Sequence, residues 1–74
     1  MQLRKIGNNE TEVILPNGHA VLFSYNTPVA GLDSRGFFRT EEQHSKTTSR
    51  HINKYLGGAQ ARTVTQEYCY YIAG

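Results

Sequence analysis

The stretch TEVILPNGHAVLFSY, residues 11–25, decides the fold. Two β-branched, apolar runs flank Pro16-Asn17-Gly18, and Asn-Gly between such runs is the strongest short signal for a β-hairpin. The outgoing strand is Thr11 to Leu15 and the return strand His19 to Tyr25. Side chains alternate between the faces of a strand. Val21, Phe23 and Tyr25 therefore share one face and Ala20, Leu22 and Ser24 the other, and the aromatic set is expected in the core. Upstream, Leu3 to Ile6 reads as a strand that turns at Gly7-Asn8-Asn9, residues that tolerate positive φ. Downstream, Asn26-Thr27-Pro28 marks a bend, because proline cannot donate to a sheet ladder. Val29 to Leu32 and Phe37 to Thr40 then form a second hairpin around Asp33-Ser34-Arg35-Gly36. Residues 1–42 thus read as an antiparallel meander.

The period changes at Ser45. A serine or threonine hydroxyl, Ser45 or Thr47, can cap a helix that runs over about 46–56. Gly57-Gly58 ends it, since glycine adopts the left-handed C-cap freely. Thr48, Ile52, Tyr55 and Leu56 fall on one face at 100° per residue, with Lys46, Arg50 and Lys54 almost opposite. Residues 61–72 read as a long final strand, with Val64, Tyr68 and Tyr70 on one side and Thr63, Thr65, Cys69 and Tyr71 on the other. Neither side is cleanly apolar, so one end is expected at an edge or paired with a second copy in a homodimer. The expected fold is α+β: one domain over 1–74, a small twisted antiparallel sheet of four to five strands with one amphipathic helix packed on one face.

Composition narrows the function. The chain has 74 residues, of which 38% are hydrophobic, enough for one small core. No apolar run approaches the roughly twenty residues that span a bilayer, so no membrane role is expected. A single cysteine, Cys69, excludes an internal disulfide framework and points to a reducing, cytoplasmic setting. The net charge of +2 is too small to argue for nucleic acid by itself. Its distribution says more: Lys46, Arg50, Lys54 and Arg62 lie in a segment, 43–62, without an acid.

Few residues carry recognisable chemistry. His19, His44 and His51 match no metal-ligand spacing, so neither metal nor cofactor is expected. Cys69 between tyrosines has no cationic neighbour or helix N-terminus to activate it, and reads as a structural thiol. Glu41-Glu42 are expected to cover the approach to the helix N-terminus. The ridge Lys46, Arg50, Lys54, with Asn53 beside it, suits phosphates or an acidic protein surface. It reads equally as a solvated helix face. Tyr68 and Tyr70 serve either an interface or cross-strand packing.

The run Val21-Leu22-Phe23-Ser24-Tyr25-Asn26-Thr27-Pro28-Val29-Ala30, followed by Ser45-Lys46-Thr47-Thr48-Ser49-Arg50-His51-Ile52-Asn53-Lys54-Tyr55-Leu56, resembles an uncharacterised family of small bacteriophage and mobile-element proteins. Its pattern is Ser-Tyr-x-Thr-Pro-Val-Ala, then Ser-x-Thr-Thr-x-x-His-Ile-x-x-x-Leu. The resemblance covers about residues 12–57 and implies a phage-like origin with no assigned activity. Tyr25, Thr27, Thr48, His51, Ile52 and Leu56 carry it, and Ser24 or Thr27 is placed to bond His51. The origin and the size together suggest a non-enzymatic binding protein, such as an inhibitor of a host defence nucleoprotein of the anti-CRISPR kind, acting by steric occlusion. The alternative is a nucleic-acid-binding accessory protein using the ridge directly. A small enzyme using His51 or Cys69 is the third reading.

Overall fold

A computed structural model describes residues 2–74. Six strands, β1 (Gln2–Gly7), β2 (Glu10–Ile14), β3 (Ala20–Ser24), β4 (Thr27–Asp33), β5 (Gly36–Thr40) and β6 (Arg62–Val64), accompany two helices, α1 (Lys46–Leu56) and α2 (Gln66–Ala73). The sheet order follows the chain, β1 through β6. The first five strands pair antiparallel, as the meander requires. β6 returns parallel to β5 after the α1 crossover. The sheet is therefore mixed and has six strands, not four or five.

Turn chemistry sets the registers. Gly18 takes φ 89° between β2 and β3. At the β3–β4 hairpin, Ser24 pairs with Thr27, so Tyr25 and Asn26 alone make the turn. Tyr25 takes φ 58°, an uncommon conformation for a bulky residue. Its N–H donates to the Asn9 carbonyl at 2.7 Å, tying this turn to the β1–β2 turn.

The adjacent residues Phe37 and Phe38 show that both faces of the sheet are covered. Phe37 meets Tyr55 of α1 edge-on, whereas Phe38 meets Tyr68 of α2 edge-on. Neighbouring strand residues face opposite ways, so the helices lie on opposite faces. On the α1 side, Leu22, Val29 and Ala30 pack with Ile52 and Leu56. On the α2 side, Val21, Phe38 and Cys69 are fully buried. Each fully buried Val, Leu, Ile or Phe among them contributes about 1.5–3 kcal/mol by leaving water.

Two expectations are corrected here. The helix packs on the Ala20, Leu22, Ser24 set, and the other set divides: Val21 is buried under α2, while Tyr25, in the turn, is 51% exposed. The long final strand over 61–72 is instead the three-residue β6 followed by α2. Thr65 starts that helix by accepting the Tyr68 N–H, and the following Glu67 sits favourably in the first turn. Gln66, Cys69, Ile72 and Ala73 are turned inward while Glu67, Tyr70 and Tyr71 are exposed, a three-to-four spacing. β-prone aromatic content masked that period. Cys69 therefore sits in a helix, and the edge-strand argument for a homodimer lapses.

α1 starts and stops where expected. Ser45 accepts the Thr48 N–H, and Gly57 at φ 59° closes the helix. The first turn itself holds no acid, and Glu41 and Glu42 lie exposed in the connection that precedes it.

Candidate functional site

The resemblance motif converges on the seam between the end of β3 and the inner face of α1. Ser24 Oγ lies 2.9 Å from Thr48 Oγ1 and 2.8 Å from His51 Nδ1. Ser45 donates to Thr48 Oγ1 at 3.3 Å. Thr48, Ser24 and His51 Nδ1 thus form one continuous run of hydrogen bonds. The other ring nitrogen, Nε2, faces Glu10 Oε1 at 3.8 Å. Glu10 Oε2 accepts from Lys54 Nζ at 3.3 Å. Gly7 makes room for that carboxylate, because a Cβ there would collide with Oε2.

Buried polar groups are costly unless satisfied, and this chain satisfies each in turn. Ser24 and Thr48 are only 2% and 5% exposed. The bond expected between Ser24 and His51 is present, whereas no bond joins Thr27 to His51. Tyr25 covers the ring, with centroids 6.1 Å apart. Ser24, His51 and Glu10 resemble a hydrolytic constellation in composition, but the hydroxyl is closed to a substrate.

The basic ridge divides. Lys54 leans inward to Glu10 and so has an acid partner, contrary to the reading of an uncompensated ridge. Lys46, Arg50 and Asn53 are exposed, and among the described residues no acid lies within ion-pair distance of Lys46 or Arg50. Together with Gln43, His44 and Ser49 they line a shallow hollow of about 490 Å³. His44 also reaches Gln66 Oε1 at 3.1 Å.

On the opposite face, Asp33 is a junction that sequence reasoning missed. Its Oδ2 accepts from Arg62 Nη2 at 2.6 Å and from Tyr68 OH at 2.5 Å, while Oδ1 accepts from the Arg35 N–H. Burial alone would raise the carboxyl, but bonds from Arg62, Tyr68 and Arg35 outweigh it and hold the pKa at about 2. Tyr68 is thus a latch holding α2 to β4. Tyr70 points outward, 55% exposed, and does not join it. Asp33 and Tyr68 are 35 residues apart, so no local pattern links them.

Cys69 is buried, and burial pushes its thiol up to about 11. Among the described residues no group of three potential ligands could hold a metal. No helix among them is long and apolar enough to cross a membrane.

A groove between α1 and the sheet completes the inventory. It encloses about 370 Å³ above an apolar floor of Ile6, Leu22, Leu32 and Phe37. Glu10 and Glu12 line it beside Tyr55, Arg4 and Lys54.

No curated protein and no solved structure matches the chain. One family model does, over residues 1–70. On that match the chain belongs to a family of unknown function, DUF8033.

Proposed function

We propose that the chain is a non-enzymatic binding protein whose outer α1 face, Lys46, Arg50 and Asn53, seats on an acidic surface of a host protein or nucleoprotein complex. The observation that carries this reading is the contrast between paired and unpaired cations. Arg4, Lys54 and Arg62 each pair with a carboxylate of the same chain; of the cations with no such pair among the described residues, Lys5, Arg35 and Arg39 lie on strands or turns, while Lys46 and Arg50 stand one turn apart on the exposed face of α1. Unpaired surface cations favour encounter with a negative partner. The closed Ser24 and the buried Cys69 support a binding role over catalysis. The resemblance to mobile-element proteins supports a host target, and a host defence nucleoprotein blocked by steric occlusion is the concrete form of the proposal.

Capture of a partner from host lysate, with and without nuclease, tests it. The tagged protein should retain a protein partner after nuclease treatment. Loss of all capture on nuclease treatment would instead identify nucleic acid as the direct ligand. Lys46→Glu with Arg50→Glu should keep the native melting curve, since exposed charges contribute about 0–1 kcal/mol each. The same double variant should lose capture. A folded double variant that binds as the parent does refutes the assignment to α1.

A further inference from the structure

One further unpaired cation, Arg39, lies beside the same face of α1. It stands on β5 between Ala30 of β4 and Thr63 of β6, so ladders on both sides fix its backbone. Ala30 packs with Ile52 and Leu56, and residues paired across strands share a face, so Arg39 is on the α1 side of the sheet. Its side chain is half-buried. Even so, no carboxylate among the described residues comes within ion-pair distance, and none of its nitrogens is sealed from solvent. Arginine characteristically lays its stem along apolar surface and leaves its planar head free to pair.

Two hollows meet along this flank of α1. Asn53 lines both: the polar one that holds Lys46 and Arg50, and a second of about 390 Å³ walled by Arg39, Leu56, Ala59 and Ala61. Lys54 turns away to Glu10. The flank therefore runs from Lys46 through Arg50 and Asn53 to Arg39, and no acid lines either hollow. Its two ends differ in chemistry. The Lys46 end is polar throughout, whereas at the other end a guanidinium stands beside apolar side chains. A guanidinium takes a carboxylate on two parallel hydrogen bonds, and the apolar wall takes an aliphatic group. A nucleic-acid strand fits less well. Unpaired bases stack on aromatic rings, and neither hollow is lined by Phe or Tyr. The Leu56 wall offers nothing to a phosphate.

We propose that this flank binds an acidic protein segment with an aliphatic residue among its carboxylates. The aliphatic side chain enters the hollow at Leu56, Ala59 and Ala61. One carboxylate pairs with Arg39 and others with Lys46 and Arg50. This rests on the binding role of the outer α1 face and adds its specificity. Lys46 and Arg50 draw an acidic partner in, and Arg39 with its hollow selects among acidic partners.

Selection from a random-peptide display library on the immobilised full chain tests the proposal, followed by fluorescence-anisotropy titration of the most enriched peptide. Enriched sequences should carry several Asp or Glu residues around a Leu, Ile, Val or Met. Replacing that aliphatic residue with Asn should weaken binding about tenfold, and Arg39→Gln, with a native melting curve, should do the same. Arg39→Lys keeps the stem and the charge but not the fork, and should also bind more weakly than the parent. Arg35→Gln removes the same charge from the turn between β4 and β5 and should leave the affinity unchanged. Loss of binding in Lys46→Glu with Arg50→Glu, but not in Arg39→Gln or Arg39→Lys, overturns this proposal and leaves the α1 reading standing. A folded double variant that binds the peptide as the parent does refutes both. Equal weakening by Arg35→Gln and Arg39→Gln overturns the proposal, because net charge alone would then account for binding. So does a selection without acidic enrichment, or a polythymidine strand that binds more tightly than the peptide at physiological salt.

Discussion

Lowering the pH should weaken the hold on α2 through Asp33, late in an acid titration because its carboxyl is held low. The carboxyl moves from an ordinary value of 3.8 to about 2 in the folded chain. Each unit corresponds to about 1.36 kcal/mol, so the full linkage is about 2.5 kcal/mol. Arg62, its main partner, is 32% exposed, and solvent screening reduces this to roughly 1–2 kcal/mol. A depressed folded pKa stabilises above the unfolded value. The contribution is therefore complete above about pH 5 and is lost as pH falls from near 4 through about 2. Urea unfolding of the parent and of Asp33→Asn, in sucrose to keep both folded, isolates the term. Other carboxylates titrate alike in both proteins, so their difference belongs to Asp33. That difference should shrink by roughly 0.7–1.3 kcal/mol between about pH 5 and about pH 2.5, about two thirds of the full term. At neutral pH the variant should already be weaker by about 1–3 kcal/mol, because Arg62 loses its acceptor. A pH-independent difference would refute the assigned pKa, and an equally stable variant at neutral pH would refute the latch.

Three further outcomes follow from packing. Gly31→Ala places a methyl against the Ala20 carbonyl and 2.7 Å from Phe38 Cζ, so thermal melting should show a loss of about 1–3 kcal/mol. Ser24→Ala removes the centre of the Thr48–His51 chain and should cost about 1–3 kcal/mol in chemical denaturation, with His51 ring resonances displaced. Cys69, fully buried and with its thiol pushed up to about 11, should resist a thiol reagent in the folded protein and react at the rate at which α2 opens. Rapid labelling of the native protein would contradict its placement.

The first fifty-eight residues were legible because local chemistry and global packing agree there. Asn17-Gly18, Asp33 to Gly36, Ser45 and Gly57 each mark a boundary that the fold keeps. The C-terminal segment was misread because tyrosine-rich content outweighed the Thr65 cap and the inward spacing of Gln66, Cys69 and Ile72. That error also hid the second covered face and turned the aromatic set of β3 toward the wrong helix. For the candidate site, the helical period placed Lys46 and Arg50 outside correctly. It could not show that Lys54 meets Glu10, 44 residues away. Partners so distant in sequence leave no trace in spacing.

The order of the strands has a consequence for how the chain assembles. Every strand from β2 to β5 pairs with its immediate predecessor, so each step closes only a short loop at small entropic cost. β6 is different: it must wait for α1 to cross the sheet. Gln66 then joins three separate segments, taking bonds from Thr40 and His44 on Oε1 and giving one to the Pro28 carbonyl. During synthesis the meander and α1 are complete while Val21 and Phe38 still lack their cover. Until residues 66–73 emerge, the nascent chain carries a bare apolar sheet face, and that is the interval in which it is most exposed to chaperones and to aggregation.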